Sequence, residues 1–227
     1  MNFRIDTRSA VFNLIVLNLF VYLLVAFVPI SIKGMPLMDA LSLYYPASPF
    51  FMPHQLLTHL VTHASIGHLF FNMFNLFIFG NLLERFWGGQ RLLLFFFITG
   101  IGGALLYLLA QGVQIYMACG TFWPHVAEHD VISETLSVQL VSSCLGASGA
   151  VFAMLTAAAV LFGNTEFYIY GVFPLPLKYI AAGMIVLELV SQLDHKSDHI
   201  AHLAHLSGAL MGYIIVKIWN RDRSNFY

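Results

Sequence analysis

Ala204-His205-Leu206-Ser207-Gly208-Ala209-Leu210-Met211-Gly212 is the stretch on which the fold turns. In a helix, residues at i, i+3 and i+7 share a face, so His205, Gly208 and Gly212 form one stripe. The Gly208-x-x-x-Gly212 spacing lets two helices approach backbone to backbone inside a membrane. A histidine heads the stripe. The stretch lies in an apolar run over about 200–219, long enough to cross a bilayer, where polar side chains are costly and are usually kept for function.

The rest of the chain is apolar too. Of 227 residues, 59% are hydrophobic and 9% charged, with a mean hydropathy of +0.79. A soluble domain carries about 25% charged residues. The composition therefore predicts an all-α polytopic membrane protein. The formal net charge of −1 leaves no basic footprint for nucleic acid. Cys119 and Cys144 have no metal-type spacing, and both fall in a predicted outer region, where a disulfide or two thiols are the alternatives. The first apolar run lacks a clear cleavage site and is read as a retained helix.

Six spans are predicted, at about 10–29, 66–86, 91–112, 147–163, 175–193 and 200–219, in a single domain over 1–227. Trp87-Gly88-Gly89 breaks the chain between spans two and three, and Pro174 and Pro176 precede span five. With the N-terminus inside, the inner segments hold Arg4, Arg8, Arg85, Arg91, Lys178, Lys217, Arg221 and Arg223, and the outer ones hold Lys33 and Lys196. That asymmetry predicts cytoplasmic N- and C-termini. The outer loop 30–65 is aromatic and aliphatic, with Met35-Pro36-Leu37, Tyr44, Tyr45 and Phe50-Phe51, and is expected to lie in the interface. The outer loop 113–145 is more polar, and its Glu128, Asp130 and Glu134 are read as surface residues.

In this topology spans two, four and six run from outside to inside, and each carries a polar patch near its start. Span two has His68 and Asn72 at i and i+4, on one face, able to donate to a developing oxyanion or to hold the bundle together. His63 is expected to support the loop or the site. Span four opens with Gly146-Ala147-Ser148-Gly149. A serine beside small residues at a helix N-terminus suits a nucleophile, since unpaired backbone N–H groups there favour an anion. The alternative is a small-residue packing face continued by Ala150 and Ala153. On span six, the glycine stripe could seat His205 against span four, within reach of Ser148 as general base. His199 and His202 are rivals closer to the outer end. Asp194 and Asp198 lie before the span, so a Ser148–His205 dyad is expected, with the imidazole oriented by packing. Glu188, near the outer end of span five, is read as a structural hydrogen-bonding residue able to snorkel. Glu84 and Arg85 are read as an interfacial anchor.

These residues resemble the rhomboid family of intramembrane serine proteases. The GxSG pattern of that family matches Gly146 to Gly149. Its HxxxN matches His68 and Asn72, with the preceding histidine at His63, and its AHxxGxxxG matches Ala204, His205, Gly208 and Gly212. Glu84-Arg85-Phe-Trp-Gly88 and Phe173-Pro-Leu-Pro-Leu-Lys178 are similar as well. The resemblance implies a six-helix bundle with a water-filled cavity open to the outside. Ser148 would be the nucleophile and His205 the base. The oxyanion hole would be built from the Ser148 backbone N–H with His68 and Asn72, and a further N–H near Ala147. Gly146, Ala147, Gly149, His63, Gly208 and Gly212 would support them. It implies transmembrane protein substrates that unwind near their outer end, a lipid bilayer as the medium, and no metal or cofactor. Lengths and charge pattern suit a bacterial inner membrane, with the site facing outward; no oligomeric state follows. In the first outer loop, His54-Gln55 stands where many members carry Trp-Arg.

Two rival functions follow from the same residues. A non-catalytic relative would bind transmembrane helices without cutting them, but such proteins typically lack the serine or histidine that this chain retains. A histidine-box metal enzyme would use His59, His63, His68, His195, His199, His202 and His205. The sequence has neither the HH pair of such boxes nor a zinc-protease HExxH.

Overall fold

The computed structural model describes residues 9–124, 140–169, 172–193 and 199–220. Arg4, Arg8, Glu128, Asp130, Glu134, Asp194, His195, Lys196, Asp198, Arg221 and Arg223 lie outside the described residues, as does the side chain of His199.

The described chain is mostly helical. Helix α1 is Ala10–Phe27, and a short hairpin of β1 (Ser31–Ile32) and β2 (Met35–Pro36) follows it. Helices α2 (Leu37–Leu41) and α3 (Gln55–Thr58) lie in the next segment, with a 3-10 turn at His59–Val61. Helix α4 covers Ile66–Trp87, with a π-helical segment at Leu76–Gly80. Helix α5 is Gly89–Cys119 and α6 is Ser148–Phe162. Strands β3 (Glu166–Ile169) and β4 (Phe173–Pro176) pair antiparallel, with Phe167 opposite Leu175. Helices α7 (Leu177–Leu193) and α8 (His199–Asn220) complete the chain.

Among the described residues, α1, α4 and α5 are long and apolar enough to cross a membrane by length and composition. Helix α5 outlasts the expected span, reaching Cys119, where Gly120 at φ 77° ends it. Helix α6 is only 15 residues long and buried from Ala150 to Ala158. It is the central helix, wrapped by the others rather than by lipid. Phe20, Phe70, Phe71 and Leu187, by contrast, are well exposed, as lipid-facing residues of an apolar bundle are.

Small residues set how closely the core helices pack. Helix α8 packs most extensively on α6 and then on α5. A Cβ added at Gly212 would sit 2.5 Å from the Ala153 carbonyl oxygen, and one at Gly208 would overlap the Gly149 backbone. Gly103 of α5 meets Gly208 from the other side, with its own added Cβ 3.1 Å from the Gly208 Cα. The stripe read on α8 is therefore pressed between two helices. Nothing in the sequence marks Gly103, which lies in a long glycine-bearing apolar run with no polar partner.

Glu84 has partners that its place in the sequence does not name. Its carboxylate accepts from Ser9 Oγ at 2.7 Å and from the backbone N–H groups of Ala10 and Val11 at 2.7 and 3.1 Å. It caps α1 from the end of α4. The orphan donors of a helix N-terminus and its positive dipole end favour an acid there. Losing a good cap costs about 0.5–2 kcal/mol. Beyond this cap, Trp87, Phe95 and Trp219 form an aromatic cluster with centroids 4.9–5.8 Å apart, and Arg91 lies 5.9 Å from the Trp219 ring.

Candidate active site

Three loop contacts hold the turn that precedes α6. Leu43 and Cys144 exchange both backbone hydrogen bonds at 2.8 Å, and Gly146 N–H donates to the His59 carbonyl at 2.8 Å. The segment 30–65 thus carries structure and grips the turn. Its own anchor is the departing His54-Gln55 pair. Gln55 is fully buried; its amide donates to the Phe50 carbonyl at 2.9 Å and its oxygen accepts from Met52 N–H at 3.1 Å. The His54 ring meets the Ala40 carbonyl at 2.9 Å. Together the two side chains tie the segment 40–55 to itself.

Gly146 adopts φ +117°, a conformation that side chains rarely take. It is also a platform. A Cβ there would lie 2.8 Å from the Cε1 and Nε2 atoms of His68 and 3.7 Å from Ser148 Oγ. His68 and the Ser148 hydroxyl therefore flank Gly146. Ser148 is the first residue of α6, with Ala147 fully buried before it, so its backbone N–H belongs to the unpaired first turn.

His68 is set by the start of α4, where Ser65 accepts from the His68 N–H at 3.1 Å as a helix cap. Asn72 sits one turn on and is buried. One of its amide hydrogens donates to the His68 carbonyl at 2.9 Å, which leaves the second for another acceptor. His63 is buried against His68, edge to face at 5.1 Å. Burial, then the neighbouring His68, pushes the His63 pKa down to about 4, and burial does the same to His59.

His205 lies flat on Phe152, with ring centroids 4.6 Å apart and planes 10° from parallel. Phe152 is four residues beyond Ser148, so one face of α6 carries both the hydroxyl and the ring that seats the histidine. The i+4 relation is legible in the sequence, but an aromatic residue in a helix this apolar carries no mark of its own.

The larger difference concerns Glu188. Packing alone was expected to orient His205, yet a carboxylate arrives from α7. Glu188 Oε1 lies 3.1 Å from His205 Nδ1, and Oε2 lies 2.6 Å from His202 Nδ1. The two groups are 17 residues apart in the chain and meet only because α7 packs on α8. A lone acid inside a predicted span was the sole sequence signal.

His68, Asn72, Ser148, Phe152, Glu188 and His205 line one cavity of about 280 Å³, which α4, α6, α7 and α8 enclose. Such a cavity holds a hydroxyl, imidazoles, an amide and a carboxylate together, which suits acyl transfer. Among the described residues the histidine-box arrangement does not assemble; His195 and the side chain of His199 lie outside them. His59 turns its Nδ1 to the Gln55 carbonyl at 2.7 Å. Among the described residues, Glu188, His202 and His205 alone bring three potential ligand atoms within 4.8 Å of one another, and they do so by contacting each other. Cys119 is exposed, Cys144 is partly buried, and both are thiols.

The sequence matches the family profile described as Rhomboid domain over residues 51–221. It is 29% identical to RHOMBOID-like protein 12, mitochondrial, of Arabidopsis thaliana, over 75% of this chain and 46% of that protein. It is 26% identical to Rhomboid-like protein 11, chloroplastic, of Arabidopsis thaliana, over 92% of this chain and 64% of the relative. Rhomboid protease AarA of Providencia stuartii is 26% identical over 69% of this chain and 52% of its own length. The chain therefore spans only part of the length of each.

Proposed function

This chain belongs to the rhomboid family, and from that premise we propose that it is an intramembrane serine endopeptidase working through Ser148 and His205. The observation that carries the proposal is the convergence of Ser148, His205, His68 and Asn72 on one cavity from three helices. A relative named as a protease, from Providencia stuartii, supports the same activity.

Ser148 Oγ attacks the scissile carbonyl carbon of a transmembrane segment while its proton passes to His205 Nε2. The carbonyl oxygen takes the negative charge, and donors aimed at it lower the barrier. Those donors are the Ser148 backbone N–H, the His68 ring and the remaining Asn72 amide hydrogen. His205 then gives its proton to the leaving amide nitrogen, and the C–N bond breaks. Water, deprotonated by His205, hydrolyses the acyl-enzyme. Substrates are membrane proteins whose helices unwind at the level of the cavity. The protein is an integral membrane protein with six spans in one domain, both termini cytoplasmic and the site toward the opposite face, in a bacterial inner membrane.

The test is labelling of the purified protein by a fluorophosphonate probe, followed by cleavage of a transmembrane substrate in liposomes. The parent protein labels and cleaves; Ser148→Ala and His205→Ala keep the thermal midpoint and lose both, a fall of at least about 10³-fold. Undiminished cleavage by either variant would sink the assignment.

A further inference from the structure

We infer that Glu188 is a positioning residue of the active site: its carboxylate holds His205 in the tautomer and orientation that lets Nε2 face Ser148, while His202 holds the carboxylate. The inference rests on the serine–histidine reading and adds to it a third and a fourth residue from α7 and α8.

Four observations converge. The His205 Nδ1 atom is buried and has no hydrogen-bond partner in good alignment. Among the described residues the acid beside it is Glu188, whose Oε1 lies 3.1 Å away, off the N–H axis. The other oxygen is already fixed, since it accepts from His202 Nδ1 at 2.6 Å. Finally, the Glu188 side chain is only 15% exposed and lines the same cavity as Ser148. An ionised carboxylate at such a site is costly unless it is paired. Both of its oxygens face imidazole nitrogens, which offsets that cost. Hydrogen bonds of an active site are often slack in the resting state and tighten as charge develops.

The chemistry then assigns the tautomers. A carboxylate only accepts, so each imidazole must present N–H at Nδ1. With Nδ1 protonated, the neutral His205 ring has its lone pair at Nε2, the atom that takes the serine proton. When that proton arrives, the imidazolium sits beside a negative charge. Phe152 fixes the plane of the ring by stacking, and Glu188 fixes which edge faces inward.

Glu188→Gln separates this role from mere packing, because it keeps the volume. A carboxamide has one acceptor and one donor group. If His202 keeps the acceptor, His205 Nδ1 faces an N–H₂ and must hold its lone pair there, which puts the proton on Nε2 and removes the base. We expect kcat to fall about 100-fold with KM nearly unchanged, within the range for loss of a general base or its orienting acid. Glu188→Asp keeps two acceptor oxygens and recovers part of kcat. His202→Ala frees the carboxylate to reorient and lowers kcat by less than Glu188→Gln does.

A second measurement does not depend on turnover. In protein labelled with ¹⁵N-histidine, the His205 Nδ1 resonance of the Ser148→Ala protein is that of a protonated nitrogen, and it loses its downfield proton on Glu188→Gln. Unchanged kcat in a folded Glu188→Gln protein overturns the inference, and so does an unprotonated His205 Nδ1 in the Ser148→Ala protein. If Glu188→Gln does not fold, the ¹⁵N shift of the Ser148→Ala protein alone decides. Failure of the parent to label or cleave sinks the protease reading instead, and the tautomer measurement remains informative about Glu188. Cleavage that requires an added divalent metal, and stops with a chelator, would also overturn the assignment by making the trio a cation site.

Discussion

Gly146 meets two demands with one missing atom. Its φ of +117° is open to glycine, and its Cα surface is covered by the His68 ring. Alanine would carry the backbone strain, about 1–3 kcal/mol, and would push its methyl into an imidazole 2.8 Å away. Gly146→Ala is therefore expected to lower the thermal midpoint modestly and to lower kcat by more than that loss of stability accounts for, because His68 must leave Ser148. Parallel melting and cleavage assays decide, and a variant with full activity would remove His68 from the oxyanion site. Ser148, His205, His68 and Asn72 were legible because polar residues in apolar segments are conspicuous and their spacings match helix geometry. Glu188 makes the kind of hydrogen bond its sequence position suggests, to His202, but nothing in a linear reading says which imidazole a carboxylate on another helix will meet. Phe152 was invisible for the opposite reason: one more apolar residue in an apolar helix.

At the scale of elements, the segment between α1 and α4 carries more than its interfacial composition suggests. It contains a hairpin, two short helices and the His59 carbonyl that holds the Gly146 N–H. Composition could indicate depth in the membrane, but the folded path depends on buried amides such as Gln55, whose partners are backbone groups that any sequence has. This segment should also be sensitive to acid. His59 and His63 are buried and neutral, with pKa values of about 4 in the folded protein, against about 6.5 for an unfolded histidine. Between those values the unfolded chain binds protons that the folded one does not, so stability rises with pH in that window. As the pH falls from about 6.5 to 4, each histidine withdraws up to about 1.4 kcal/mol per unit. Below pH 4 the loss levels off. Thermal midpoints measured across pH 4–7.5 should fall toward acid, less steeply in His59→Gln or His63→Asn. A midpoint that is flat or rising toward acid would mean that these rings are not buried neutral.

For the whole molecule, the two ends of the bundle have different chemistry. The cavity residues His68, Ser148 and His205 come from the early parts of α4, α6 and α8, and Glu188 comes from the later part of α7. At the other end lie the Glu84 cap, Trp87 and Trp219, with Arg91 against the Trp219 ring. Lys178 lies in the first turn of α7 there, bound to Asn164 at 2.8 Å, and Lys217 lies in the last turn of α8. Basic residues so placed predict that this end faces the cytoplasm. Substrates would then be cut near the opposite surface. Cys119 supplies a native reporter, exposed at the far end of α5. In intact cells, with Cys144 replaced by serine, a membrane-impermeant maleimide should label Cys119 directly. With Cys119 also replaced by serine, a cysteine introduced by Asn220→Cys should label only after lysis. The reverse pattern would invert the protein in its membrane and move the cavity, with its serine and both histidines, to the cytoplasmic side. The charge asymmetry would then have been overridden by insertion of the first helix, and the choice of substrates would have to be argued again from the inner face.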